Sequence, residues 1–174
     1  YDLFFTMSHG VNRGVLKNDK FDARYPFIEK LLKISPNIIF DVYGYKTRQP
    51  IWSEDFYKTI MQSKMGLNLS RTNSVKYYSS NRISSLIGNG LMTFIDKKTQ
   101  LGDFFSDKEV VFYKNVEDLS EKLNYFKKND SLRKKIASNG RKKYFQCFNS
   151  RIIANYLIDK TFGLKFKENY LWED

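Results

Sequence analysis

The sequence contains few of the residues from which catalytic and metal sites are usually built. Among its 174 residues there is one cysteine, Cys147, and one histidine, His9. A single cysteine excludes an internal disulfide and fits a reducing compartment. Cys147 lies in a helical stretch, where its expected role is that of a small buried residue. A cysteine–histidine catalyst is not favoured, because its thiol would depend on the one histidine of the chain.

Long apolar runs are also missing. No stretch approaches the roughly 20 apolar residues of a membrane-spanning helix, and the first residues lack the basic region and the cleavage site of a signal peptide. The chain starts directly in a strand without an initiator methionine, so we expect it to be a piece of a longer protein. We expect it in the cytoplasm, and a peripheral contact at the inner membrane surface is compatible with this location.

Acidic residues are scarce relative to basic ones. The chain has 19 Asp and Glu against 30 Lys and Arg, a formal net charge of +11. This excess suits nucleic acid, an anionic membrane surface or phosphate-rich ligands, but scattered lysines also fit a general compositional bias. The aromatics, 17% of the chain, fall mostly in strands and helix stripes with a buried pattern. A nucleic-acid-binding module is therefore the less favoured function, and no nucleic acid is expected as a partner.

Strands and helices alternate through most of the chain. Short apolar runs predict five strands, at residues 3–7, 38–43, 64–69, 91–95 and 110–113. Apolar residues at helical spacing predict helices at residues 21–34, 53–63, 116–127, 131–145 and 150–162, and a short helix that ends at Phe105. The alternation predicts one α/β domain over residues 1–174, a doubly wound parallel five-stranded sheet of the Rossmann type with extra C-terminal helices. We expect the strand order 3-2-1-4-5, with a ligand crevice between strands one and four.

The centre of the predicted site is a short helix that begins near Asn81, a turn at Gly90 and a buried strand. Ser80 and Asn81 offer side-chain oxygens to the first N–H groups of the helix, and Gly90 accepts the left-handed conformation that ends helices. Arg82 lies in the first turn, where a fixed cation and free N–H groups favour a phosphate or diphosphate. A solvated arginine beside a simple serine cap is the alternative explanation.

Two further loops lead to the same crevice. The loop at residues 8–20 contains His9, Gly10 and Arg13, but its spacing matches neither the dinucleotide motif G-x-G-x-x-G nor a P-loop. His9 either donates a hydrogen bond to a ligand or is an ordinary loop residue. The loop that starts at Ser70 follows a strand that contains Asn68, a polar residue among apolar neighbours that needs a partner.

Three segments occur in an order that is typical of one family. The first, Arg82 followed by Gly90 and a strand, is similar to the signature R-x-x-E-x-x-x-x-G. The second runs from Phe105 through residues 113–119, and the third is the helix around Gly140 that ends before residues 148–151. Together they resemble the C-terminal, nucleotide-sugar-binding domain of GT-B glycosyltransferases, in the group 1 glycosyl transferases that include the spore-maturation type.

The resemblance implies that the chain is the donor-binding half of a two-domain glycosyltransferase, whose acceptor is a glycan, a lipid or a protein. Arg82 would stabilise the leaving diphosphate. The other donor-binding residues would be His9, Gly10, Arg13, Tyr43, Gly44, Asn68, Ser70, Ser80, Asn81, Ser85, Asn89 and Gly90. No cofactor or metal is expected beside the nucleotide-diphosphate sugar, since the chain has no D-x-D motif and a cationic side chain can neutralise the diphosphate.

Ser85 departs from the family's pattern, which usually has a glutamate there that holds the ribose of the donor. Serine offers one hydrogen bond but neither the charge nor the bidentate reach of a carboxylate. This departure, with the acceptor half absent from the chain, leaves an alternative function: a non-catalytic domain that binds a sugar nucleotide or acts as a scaffold.

Overall fold

The computed structural model describes residues 1–7, 16–17, 20–71, 75–78 and 80–173. Five parallel strands form one sheet: β1 (Leu3–Thr6), β4 (Phe40–Tyr43), β5 (Met65–Asn68), β6 (Met92–Asp96) and β7 (Val111–Tyr113). An antiparallel pair, β2 (Leu16–Lys17) and β3 (Lys20–Phe21), precedes the first helix. The helices are α1 (Arg24–Ile34), α2 (Ser53–Ile60), α3 (Asn81–Gly88), α4 (Val116–Lys128), α5 (Asp130–Cys147) and α6 (Ser150–Phe162).

The sheet is covered on both faces. Leu3 and Phe5 of β1 belong to a buried cluster that includes residues of α1 and α4. Phe4, between them, points to the other face and packs with Ile60 of α2 and Leu86 of α3. This alternation buries every side chain of the strand's apolar run, as is typical of parallel sheets. The predicted doubly wound α/β fold is confirmed.

The predicted strand order 3-2-1-4-5 is wrong in one place. Numbered along the chain, the strands of the large sheet lie in the order 2-1-3-4-5, that is β4-β1-β5-β6-β7. All four residues of β5 are buried, as a central position requires. Gly66 allows that position, because a Cβ there would lie 2.4 Å from Cδ2 of Leu86 in α3. The order in which successive strands are added to the sheet therefore reverses between β1 and β5, and ligands of such sheets bind at this kind of switch point.

Both ends of α3 agree with the prediction, and only the expected capping hydrogen bond at its start is not found. Gly90 has a φ of 79°; its N–H donates to the carbonyl of Ile87 at 2.9 Å, and the N–H of Leu91 donates to that of Leu86 at 3.0 Å. These two bonds form a Schellman motif. At the other end Ser80 is the N-cap residue, but its side chain makes no capping hydrogen bond. The turn, and not the cap, thus sets the length of this helix.

Two other predicted helices differ from those observed. α1 begins at Arg24, because Phe21 pairs with Leu16 in the small antiparallel ladder. The short helix expected before Phe105 is a pair of 3-10 turns, Lys97–Thr99 and Leu101–Asp103. No helix in the described part of the chain is both long and apolar enough to cross a membrane.

Candidate functional site

A cleft of about 690 Å³ opens where β1 ends and α3 begins. This first cleft is lined by Thr6, Met7, Arg24, Ile51, Trp52, Ser53, Phe56, Tyr57, Ser80, Asn81, Arg82 and Ser85. Its size is that of a small-molecule site. One wall is aromatic, and Trp52 and Tyr57 leave 62% and 52% of their surface exposed. The opposite wall is polar and cationic.

Arg82 extends from the first turn of α3 to the edge of the sheet. Its Nη1 donates to the carbonyl of Leu69 at 3.0 Å, and its guanidinium carbon lies 5.2 Å from the centre of the Phe5 ring. Its Nε is buried and has no hydrogen-bond partner within the described residues. Burial, and then the nearby charge of Arg24, lower the pKa of Arg82 to about 10. A cation in such surroundings gains stability from an anionic ligand.

Arg24 is buried at the base of the same cleft, where Asp22 orients it. Nε of Arg24 donates to Oδ1 of Asp22 at 3.0 Å, and Nη2 donates to Oδ2 at 2.7 Å. Nε of Arg71 also donates to Oδ2 of Asp22, at 3.1 Å. One carboxylate thus binds two guanidinium groups, and Arg82 adds a third nearby. Among the described residues, this edge of the sheet carries more positive than negative charge.

Three predicted residues at the start of α3 line the first cleft together with Arg82. They are Ser80, Asn81 and Ser85. The hydroxyl of Ser85 donates to the carbonyl of Asn81 at 3.0 Å, so its oxygen is left as an acceptor toward the cleft. The first N–H groups of a helix have no partner inside the helix. The start of α3 therefore presents donors and a partial positive charge to the cleft.

A second cleft, of about 400 Å³, opens at the ends of β5, β6 and β7. It is lined by Ala23, Arg24, Phe27, Lys30, Leu69, Ser70, Arg71, Asp96, Lys98, Tyr113, Lys114, Asn115, Val116 and Glu117. The predicted residue Ser70 lies here and not in the first cleft. Arg24 lines both clefts, so the two are neighbours.

Asn68, the last residue of β5, lines neither cleft. It is 0% exposed, and both polar atoms of its side-chain amide lack a hydrogen-bond partner. The expectation that it finds a partner is therefore wrong within the described part of the chain. A fully buried amide without partners is destabilising.

Tyr43 is the last residue of β4, Gly44 begins the turn after it, and neither lines the first cleft. The guanidinium carbon of Arg48 lies 3.7 Å from the centre of the Tyr43 ring, and Arg48 also pairs with the buried Asp41 at 2.8 Å. Gly44 has a φ of 72°, and its N–H donates to the carbonyl of Arg48 at 3.0 Å. The structure gives both residues the role of closing this loop.

Asn89 and Gly90 lie at the far end of α3 and are not brought to the first cleft. The helix runs antiparallel to the strands, so its last residues reach the edge where β6 begins. There Nδ2 of Asn89 donates to the carbonyl of Ser85 at 2.7 Å, and Gly90 faces the side chain of Arg141. The predicted contact with the nucleoside or sugar does not fit this position.

Three predicted residues, His9, Gly10 and Arg13, lie outside the described residues. Their roles stay predictions. In the described part of the chain, no group of three or more His, Cys, Asp or Glu side chains is placed to hold a metal ion.

The sequence analysis missed the aromatic wall and the charge cluster. Trp52 directly precedes α2, whose first turn contains Glu54 and Asp55. No pattern in the sequence indicates that the ring of Trp52 is exposed. Arg24 follows the predicted loop at residues 8–20, and Arg71 lies in the loop that starts at Ser70. Because these two loops were predicted to meet, the positions of the two arginines were the available signal for the charge cluster. Asp22 could have been recognised as a carboxylate two residues before an arginine at a helix start.

The chain is similar to known proteins at two levels. A sequence model described as glycosyl transferase-like matches residues 24–159, which include α1, most of the residues that line the two clefts and most of α6. Among solved structures, the crystal structure of TarM superposes with a TM-score of 0.60 at 14% sequence identity. The match covers 90% of this chain and 34% of that chain, so it supports the fold. Among curated proteins, none matches the sequence.

Proposed function

The chain belongs to the glycosyl transferase-like family, and from that premise we propose that its first cleft binds the nucleotide-diphosphate part of an activated sugar. The resemblance to glycosyltransferases is thereby confirmed at the level of the family. The observation that carries the proposal is the pair of guanidinium groups, Arg24 and Arg82, that line one cleft. Burial and the charge of Arg24 hold the pKa of Arg82 at about 10, and a diphosphate between them would relieve both costs.

The rest of the cleft fits the other parts of such a donor. A diphosphate at the start of α3 would accept hydrogen bonds from its first N–H groups. A nucleobase can stack on Trp52 or Tyr57, whose exposed rings form the opposite wall. The ribose would then lie between base and diphosphate, within reach of the oxygen of Ser85. In this arrangement the sugar that is attached to the diphosphate would extend out of the cleft, toward the edge of the sheet.

The proposed chemistry is transfer of the sugar to a hydroxyl of a glycan, lipid or protein. As the bond between the sugar and the diphosphate breaks, negative charge grows on the leaving phosphate oxygen. Arg82 is held by Leu69 and Phe5, so its charge needs little rearrangement to stabilise that oxygen. The acceptor and the group that takes its proton would come from outside this chain, which spans 34% of the TarM chain.

One observation favours the non-catalytic alternative, in which the domain binds a sugar nucleotide without transfer. Ser85 donates its one hydroxyl hydrogen to the helix carbonyl of Asn81. It can therefore accept from a ribose but cannot replace the charge of a carboxylate. Turnover by a protein that includes an acceptor domain separates the two alternatives, since both predict donor binding. A cytoplasmic location and independence from metals stay predictions for either.

Calorimetric titration of the chain with UDP, GDP, the matching monophosphates and the free nucleosides tests the proposal. We expect the diphosphates to bind about tenfold or more tightly than the monophosphates, because a second phosphate meets a second guanidinium. Equal affinity of a nucleoside and its diphosphate, or no binding of any nucleotide, would contradict it.

The aromatic wall gives an independent prediction. Trp52→Ala should weaken nucleotide binding by about 1–3 kcal/mol, the usual contribution of a stacked base. Phe162→Ala, which also removes an exposed ring but lies on α6, is the matched control and should leave affinity unchanged. If both variants bind like the wild type in calorimetry, the base does not lie on this wall.

A further inference from the structure

We infer that the second cleft binds a phosphate-type oxyanion carried by the acceptor, beside the donor in the first cleft. This inference rests on the proposed donor function and goes beyond it, because it assigns a second ligand group to a separate site. Its basis is the combination of cations at the rim with buried hydroxyl groups at the floor.

Two residues that line the second cleft have hydroxyl groups without a hydrogen-bond partner among the described residues. Tyr113 is 1% exposed, and its hydroxyl makes no hydrogen bond within the described residues. The hydroxyl of Ser70 is also buried and without a partner, and both residues line the cleft. Two buried, unsatisfied hydroxyl groups in one cavity are destabilising unless a ligand or water meets them.

The hydroxyl of Tyr113 is suited to donate to an anion. Burial, and then the nearby carboxylate of Asp96, raise the pKa of Tyr113, so it keeps its proton at any physiological pH. A protonated phenol can donate to an oxyanion that the cations of the same cleft attract. A neutral sugar hydroxyl would satisfy the phenol as well, but it would leave the lysines at the rim without a role.

Basic residues outnumber acidic ones among the residues that line the second cleft. Five basic residues line it, Arg24, Lys30, Arg71, Lys98 and Lys114, against the carboxylates of Asp96 and Glu117. Lys30 pairs with Glu117, and both arginines bond to Asp22. The ammonium groups of Lys98 and Lys114 make no ion pair among the described residues. Flexible, unpaired lysines over a polar floor are typical of phosphate sites.

The position of the second cleft relates it to the acceptor rather than to the donor. Only Arg24 lines both clefts, so their ligands would be separated by one guanidinium group. Transfer requires an acceptor close to the donor sugar, and an anchored phosphate next to the donor site would supply that proximity. The donor's own diphosphate is already accounted for at the start of α3.

The test follows the amide resonances of the chain by ¹H–¹⁵N NMR during titration with inorganic phosphate at constant ionic strength, with and without saturating UDP. We expect phosphate to shift Ser70, Lys98, Tyr113 and Lys114 in both titrations, while UDP shifts Ser80, Asn81 and Ser85. If UDP displaces phosphate from Tyr113, the cleft holds the donor's diphosphate and the inference is wrong. It is also wrong if phosphate shifts none of these residues, whether or not UDP binds.

Two variants sharpen the test. Lys98→Gln with Lys114→Gln should weaken phosphate binding about fivefold or more, whereas Lys135→Gln with Lys142→Gln removes the same charge from α5 and should change it less than about twofold. Tyr113→Phe should weaken phosphate binding but not lower the melting temperature, because the hydroxyl it removes has no partner among the residues that the structure describes. Equal effects of the two lysine pairs, or a Tyr113→Phe variant that binds normally, would overturn the inference.

Discussion

At the scale of single residues, buried charge either holds the fold together or prepares a site. Asp2 is an example of the first. It is 2% exposed, its Oδ2 lies 2.7 Å from Nζ of Lys127 and its Oδ1 lies 3.0 Å from Nζ of Lys64, and the N–H of Ile39 donates to it at 3.0 Å. Burial alone would raise the pKa of Asp2, but these bonds outweigh it and lower the pKa to about 2.

Asp2→Asn should reduce the free energy of unfolding by about 2 kcal/mol at neutral pH. Because the folded-state pKa lies below the unfolded value of 3.8, the stabilisation is complete above that value and is lost as the pH falls toward about 2. Urea denaturation at pH 7 and at pH 3 measures this difference. Asp107→Asn, at an exposed turn, is the control; a pH-independent difference between Asp2→Asn and wild type would contradict the account.

Arg82 is an example of a charge that prepares a site, and the sequence predicted it from its place in a helix start. That inference needs only local rules, which relate the first turn of a helix to anions. The partners of Arg82 are not local: Phe5 lies on β1 and Leu69 directly follows β5. The unsatisfied Asn68 was expected to find a partner, and local rules gave no warning that it would not.

At the scale of elements, glycines set how closely helices approach the sheet. Gly140 in α5 is an example, because a Cβ there would lie 2.3 Å from the carbonyl oxygen of Glu109. A Cβ on Gly88 in α3, by contrast, would have no atom of the described residues within 4 Å. Both glycines are helical, Gly140 within α5 and Gly88 at the last position of α3, but their surroundings are opposite, so the two can be compared.

Gly140→Ala should therefore destabilise the fold by about 1–3 kcal/mol, since the overlap is with backbone and exceeds the helical gain of about 1 kcal/mol. Gly88→Ala should stabilise it by about 0.5–1 kcal/mol. Thermal unfolding of the two variants measures the difference in sign. A Gly140→Ala variant as stable as Gly88→Ala would mean that α5 does not lie this close to the turn before β7.

Element boundaries that depend on local chemistry were predictable, and those that depend on pairing were not. The turn at Gly90 followed from the conformational freedom of glycine. The start of α1 did not follow, because it depends on the pairing of Phe21 with Leu16. The place of β5 between β1 and β6 was missed for the same reason: the burial of all four of its residues and the close approach of Leu86 to Gly66 appear only in the structure.

At the scale of the whole molecule, the alternation of strands and helices was sufficient for the fold class and for the edge of the sheet at which the two clefts open. It could not assign residues to one of two adjacent clefts, because that depends on strand order. With the observed order, Ser80, Asn81, Arg82 and Ser85 share the first cleft, Ser70 falls into the second, and Asn89 and Gly90 lie at the opposite edge.

The two ends of α3 allow the most direct test of the central claim that a guanidinium at the carboxyl edge of the sheet binds a nucleoside diphosphate. Arg82 lies at the start of this helix, and Arg141 donates through Nε to the carbonyl of Gly88 at its end, at 3.1 Å. We propose to measure the affinity for UDP and GDP of the wild type, Arg82→Gln and Arg141→Gln by calorimetry. The account predicts a loss of about tenfold or more for Arg82→Gln and less than about twofold for Arg141→Gln. Equal losses in both variants, or none in Arg82→Gln, would contradict it.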